Sequence, residues 1–245
     1  MEITSRQFKR YQKAMSQLSA KATNEMAKWI ASRGGYQLIQ FEDAIAYAYA
    51  LATKYGEASA ALSALMYDSI ANLSGAAVPP AVVAETATIG EVSKCIYGAS
   101  SFSQNDDYIS GIVGRLVKQA GADTTLQNAR RDGAEFAWIG TGDSCAFCEL
   151  LSNNGWQYAS ADTIKGNHAE HIHANCDCQF MIRFNEDTTV RGYHPNTDLY
   201  YEVEGATMEE KANTLRRQRY DREKDKINEQ KRIAYAKRTD NESEE

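Results

Sequence analysis

Proline is close to missing from this chain: Pro79, Pro80 and Pro195 are the three in 245 residues. So few ring-locked positions leave long stretches free to be helical. Long apolar runs are lacking too. None approaches the ~20 residues that a bilayer-crossing helix needs, so no membrane contact is expected. The start, Met1-Glu-Ile-Thr-Ser-Arg6, lacks the basic-then-apolar layout of a signal peptide. Excess positive charge is also absent. A net charge of −6 and a pI near 5.4 exclude a molecule that is basic all over and binds nucleic acid on that account. Five cysteines are too few, and odd in number, for a disulfide-stapled secreted domain. The chain reads as made in a reducing cytosol, and the isolated Cys95 reads as a small buried hydrophobe.

What is present in the first 130 residues is helical periodicity. From Thr4 or Ser5, a suitable N-cap, Phe8, Tyr11, Met15, Leu18, Ala22, Met26 and Trp29 recur in steps of three and four, until Gly34-Gly35 stops the pattern. The segment Phe41–Ile70 is rich in alanine, which favours helix and lets neighbouring helices approach closely. Gly56 either divides this segment or marks a close-packing site. Pro79-Pro80 is read as the start of a third helix, roughly 81–97. A fourth begins near Asn105, with Asp106 and Asp107 in its first turn and a buried stripe of Tyr108, Ile109, Ile112, Val113, Leu116, Val117 and Ala120. These stripes predict an intramolecular helical bundle.

Around Ala134 the composition shifts toward glycine, tryptophan, cysteine and histidine. Phe136–Ile139 and Gln179–Arg183 read as short strands, Phe147–Leu151 as a helical turn, and Asn153-Asn154-Gly155 as a turn. The result is a compact α+β module anchored on Trp138, Phe147, Trp156 and Phe180. A core of that size is marginal alone, and a bound metal would supply the missing stability.

The ligands for such a metal are concentrated here. Four of the five cysteines and three of the four histidines fall between Cys145 and Cys178: Cys145, Cys148, His168, His171, His173, Cys176 and Cys178. Thiolate and imidazole are the groups zinc prefers, and a structural site takes four in a tetrahedron. Cys145 and Cys148 have the two-residue spacing of a zinc knuckle, and Cys176 and Cys178 can meet an ion from a turn. The four thiolates complete a site, or a histidine replaces one of them. His173, three residues before Cys176, is the first choice, and His171 is the alternate. His168 reads as a solvated loop residue. Structural Zn²⁺ is therefore the expected cofactor.

His168-Ala-Glu170 opens a zinc-deaminase signature, but the Pro-Cys-x-x-Cys that should follow is missing. A catalytic zinc also keeps an open position, whereas this cluster offers more than four ligands. Asp143 and Glu149 read as caps or solvated charges beside the cysteines. No phosphate-binding loop, Gly-x-Ser-x-Gly or His-Glu-x-x-His occurs, and no enzymatic activity is expected.

The stretch Trp138-Ile-Gly-Thr-Gly-Asp-Ser-Cys145-Ala-Phe-Cys148, followed by His173-Ala-Asn-Cys176-Asp-Cys178, resembles the core motif of the Mu F-like minor head proteins of tailed bacteriophages. Tyr55-Gly-Glu-Ala-Ser-Ala-Ala-Leu62 and Met66-Tyr67-Asp68 resemble the helical region of minor capsid proteins, so the likeness spans roughly residues 40–185. It implies a virion protein of few copies, made in the bacterial host cytoplasm and held in the phage head near the portal vertex. Its implied partners are the portal protein and the major capsid protein.

The end of the chain is charged. Residues 208–238 hold eleven Lys/Arg and six Asp/Glu, and the last seven residues hold four acids. Leu215, Ile227, Ile233 and Tyr235 are too sparse to bury one face, so a solvated helix is expected. Arg216, Arg217 and Arg219 are candidates for non-specific contact with packaged DNA.

The expectation is thus a mainly α protein: a helical bundle (1–132), a zinc-stabilised α+β module (133–190) and a charged helical tail (191–245). It is a structural head protein. A zinc-dependent, deaminase-like enzyme and a cytosolic nucleic-acid-binding zinc protein are the alternatives.

Overall fold

A computed structural model describes residues 2–3, 5–102, 106–139, 145–166 and 179–242. The molecule is mainly helical. Three long helices, α1 (Ser5–Ser32), α2 (Phe41–Ser74) and α4 (Asp106–Asp132), pack side by side, with the shorter α3 (Ile89–Phe102) against α2 and α4. In α1 the predicted stripe is buried at Phe8, Tyr11, Met15, Ala22 and Met26, with Ile30 ending it. Gly34 and Gly35 then take positive φ, and the Gly35 amide donates back to the Ile30 carbonyl, which closes the helix.

Close approach of α4 to α1 and α2 depends on missing side chains. A Cβ on Gly121 would collide with Met15 and lie 2.7 Å from the Ser59 hydroxyl. Gly114 faces Ser19 and Thr23 in the same way. Gly56 does not divide α2. It is buried within a continuous helix, under Thr86 and Ala120.

The predicted helix after Pro79-Pro80 is not formed. Residues 76–88 run as an extended strap across α2 and α4. Side chains take the place of a strand partner. Arg131 donates to the Pro79 and Pro80 carbonyls (2.9 and 3.2 Å), and the Ala81 amide donates to Asp68 (2.7 Å). The Val82 amide donates to Asn128 (2.8 Å) and the Ala84 amide to Thr124 (3.0 Å). Helix α3 starts later, where Thr88 and Glu91 form a reciprocal capping box. Tyr108, assigned to the buried stripe of α4, is 47% exposed. It sits in the first turn of α4, next to the fully buried Ile109. Cys95 is half-buried rather than enclosed: it lines an open cavity, where the Arg115 guanidinium donates to its sulfur at 2.7 Å.

A three-stranded antiparallel sheet follows, with β2 (Glu135–Ile139) between β3 (Gln157–Tyr158) and β4 (Gln179–Arg183). Between β2 and β3 lies α5 (Ala146–Asn153), and α6 (Ala161–Gly166) follows β3. The sheet does not rely on a small core of its own. Phe136, Trp138, Phe180 and Ile182 share one cluster with Phe8 and Tyr11 of α1, Tyr67 and Ile70 of α2, and Leu126 of α4. Phe147 and Trp156 sit at the edge of that cluster, half-buried. The start of the chain is drawn in too, as β1 (Glu2–Ile3) pairs in parallel with β5 (Thr189–Val190).

The tail begins with α7 (Thr197–Glu202) and continues as α8 (Met208–Glu242). Leu215 is not solvated as expected. It is 1% exposed, and with Ala212 and Val203 it packs on Ala146 and Leu150 of α5. The helix thus supplies one short apolar face, for which α5 supplies the partner.

Candidate metal centre

The antiparallel register of β2 and β4 sets Ile139 opposite Gln179. Cys145 follows Ile139 by six residues and Cys178 directly precedes Gln179. Both halves of the cysteine cluster therefore connect to the same end of the sheet. At no more than ~3.6 Å per residue, Cys145 lies within about 22 Å of Ile139.

Cys145 is the exposed N-cap residue of α5, with φ −63° and ψ 162°. Its carbonyl accepts from the Glu149 amide at 2.9 Å. Cys148, three residues on, is 1% exposed and packs in the core that includes Trp138 and Leu151. An i, i+3 pair lies on one side of a helix, the spacing at which two sulfurs can face one soft cation. His168, Glu170, His171, His173, Cys176, Cys178 and Asp143 lie outside the described residues. Among the described residues, no three or more His, Cys, Asp or Glu form a metal-binding group, and no zinc site is shown.

Glu149 is neither a cap nor a solvated charge. It forms an ion pair with Arg219, which ties α5 to α8. That pairing commits one of the three arginines proposed for nucleic acid. Arg216 donates to Asn213 at 2.6 Å, and Arg217 is exposed. Gln179, beside Cys178, donates to the Gln12 carbonyl of α1 at 3.1 Å and so anchors the start of β4. Its Oε1 is buried without a partner among the described residues. Gln179, Tyr11 and Thr125 line a cavity of about 20 Å³.

Behind the sheet, the Tyr67 hydroxyl donates to Asp132 at 2.7 Å, and Arg131 holds both oxygens of that carboxylate. Burial would raise the Asp132 carboxyl, but the Arg131 and Tyr67 hydrogen bonds outweigh it and hold it below the usual range. Burial, then the Asp132 hydrogen bond, pushes the Tyr67 phenol well up. Sequence reasoning also missed an open cavity of about 290 Å³ between the strap, α3 and α4, where Glu85, Glu91, Cys95, Arg115 and Asp123 meet. Its only sequence signal is the Thr88/Glu91 capping box, which fixes where the strap ends.

Residues 2–203 match the family model described as VG15 protein, and the chain belongs to that family. The match suggests a family of viral or phage proteins. No curated protein and no solved structure matches it. No helix among the described residues is long and apolar enough to cross a membrane.

Proposed function

We propose that this VG15 family member is a structural minor head protein of a tailed bacteriophage, of the Mu F-like kind, docked at the portal vertex inside the capsid. The observation that carries this reading is the extent of the family match. Residues 2–203 include both the helical region and the whole Cys145–Cys178 motif. The portal protein is the proposed partner, with the major capsid protein beside it.

A structural zinc fits the donor set. Cys145 and Cys148, with two of His173, Cys176 and Cys178 (or His171 as the alternate), would hold it. Bound there, zinc would supply shape rather than chemistry, consistent with a protein that has no catalytic role. Support comes from the sheet register, which sets Ile139, six residues before Cys145, opposite Gln179, the residue after Cys178. The chain's own residues do the positioning: Ala146 and Leu150 seat α5, and Gln179 fixes the start of β4.

The first test is the composition of purified particles. One copy or fewer per portal subunit supports the reading. Hundreds of copies would make it a lattice component, and absence from particles would overturn the virion assignment. For zinc, metal analysis of the purified chain should give one ion per molecule, and Cys148→Ser should lower both zinc content and protease resistance. Full stability with no zinc would remove the metal from the proposal.

A further inference from the structure

The tail helix is held on the body by one face. Ala212 and Leu215 pack on α5, and Arg219 pairs with Glu149. These three contacts fix its rotation. At 100° per residue, Arg217 stands about 200° from Leu215, on the side away from the body. Lys224 and Lys231 follow at seven-residue steps, drifting only ~20° each. All three are exposed, and none enters an ion pair among the described residues. At three or four residues, Asp221 is the one acid beside Arg217 and Lys224, and no acid stands at that spacing from Lys231; Glu223 and Asp225 flank Lys224 in sequence, about 100° to either side of it on the helix. The cations are therefore about 10 Å apart along one outward line, on which they outnumber the one acid, Asp221. Helix α8 lies beyond the residues matched to the family.

We infer that Arg217, Lys224 and Lys231 form a backbone-tracking contact line for duplex nucleic acid. A duplex carries one negative charge per ~1.7 Å of axis, so a line of point cations meets phosphates at any sequence. Arg219 is excluded from that line by Glu149, and Arg216 is turned toward the flank. Binding is sequence-independent and weakened by salt. The inference is independent of particle location, so its failure leaves the head-protein proposal standing.

The test uses the full chain, a labelled random-sequence 30-base-pair duplex, and fluorescence anisotropy from 50 to 200 mM salt. The triple variant R217Q/K224Q/K231Q should lower the salt slope of log K by about 3 and weaken binding on the order of 10²-fold. The matched variant R216Q/R222Q/K226Q removes the same charge from the flank and inner side and should keep most of the slope. Circular dichroism checks that both retain their helix. Equal losses in the two triples would overturn the outward line. So would wild-type protein with no salt-sensitive binding, or poly-glutamate competing as well as unlabelled duplex, which would point to an acidic protein partner.

Discussion

Asn128 grips Val82 by both polar groups of its backbone: Oδ1 accepts from the Val82 amide and Nδ2 donates to its carbonyl, each at 2.8 Å. A carboxamide on a helix thereby does what a neighbouring strand does in a sheet. Asn128→Leu should cost about 1–3 kcal/mol and speed protease cleavage within 76–88. An unchanged cleavage rate would show that the other anchors suffice.

Gly121 sets propensity against packing. Alanine is worth up to about 1 kcal/mol more than glycine in a helix interior. Here its methyl would strike Met15 and crowd the Ser59 and Ser63 hydroxyls. Overpacking of this kind costs about 1–3 kcal/mol, so Gly121→Ala should lower the denaturation midpoint. A rise would mean that α1 shifts at little cost.

Asp132 makes stability depend on acid. A carboxyl depressed in the folded state stabilises above its ordinary value of about 3.9 and loses that contribution as pH falls through the folded value. Asp132→Asn should therefore be less stable than wild type at pH 7, by about 1–3 kcal/mol, with the gap closing below about pH 4. Denaturant midpoints from pH 3 to 7 measure this, and a constant gap would contradict it.

Leu215 should matter more to tail docking than the ion pair beside it. Leu215→Ala removes a fully buried side chain, a change that costs about 2–5 kcal/mol in well-packed cores. Arg219 and Glu149 are both partly exposed, and pairs of that kind contribute under about 1 kcal/mol. Hydrogen exchange over 208–219 should accelerate strongly in Leu215→Ala and slightly in Arg219→Gln. The reverse order would make the tail electrostatically held.

Helices α1, α2 and α4 are legible in the sequence because few breakers interrupt them and their apolar spacing is regular. The strap is not, because Pro79-Pro80 suits a helix start as well as an extended chain. What decides is a set of hydrogen bonds from Asp68, Thr124 and Asn128, which no local pattern announces. The Thr88-x-x-Glu91 capping box is the local signal that marks the start of α3, and the helix expected from about residue 81 overlooked it.

At the candidate site, the spacing of Cys145 and Cys148 is local and could be read directly. The pairing of Ile139 with Gln179 is a long-range register, and only the fold supplies it. Leu215 looked isolated because its apolar partners belong to α5, some sixty residues earlier. Cys95 looked apolar because Arg115 meets it only when α3 and α4 pack.

The pairing of Glu2–Ile3 with Thr189–Val190 has a consequence for how the chain is born. The first strand leaves the ribosome with its partner still untranslated. At roughly 5–20 residues per second, it waits on the order of 10–40 s for that partner to emerge. Until then the apolar ends of α1 and α2 that cover the sheet stand uncovered, so the nascent protein is most exposed to chaperones and to mispairing after the helices of its bundle, α1 to α4, have been made.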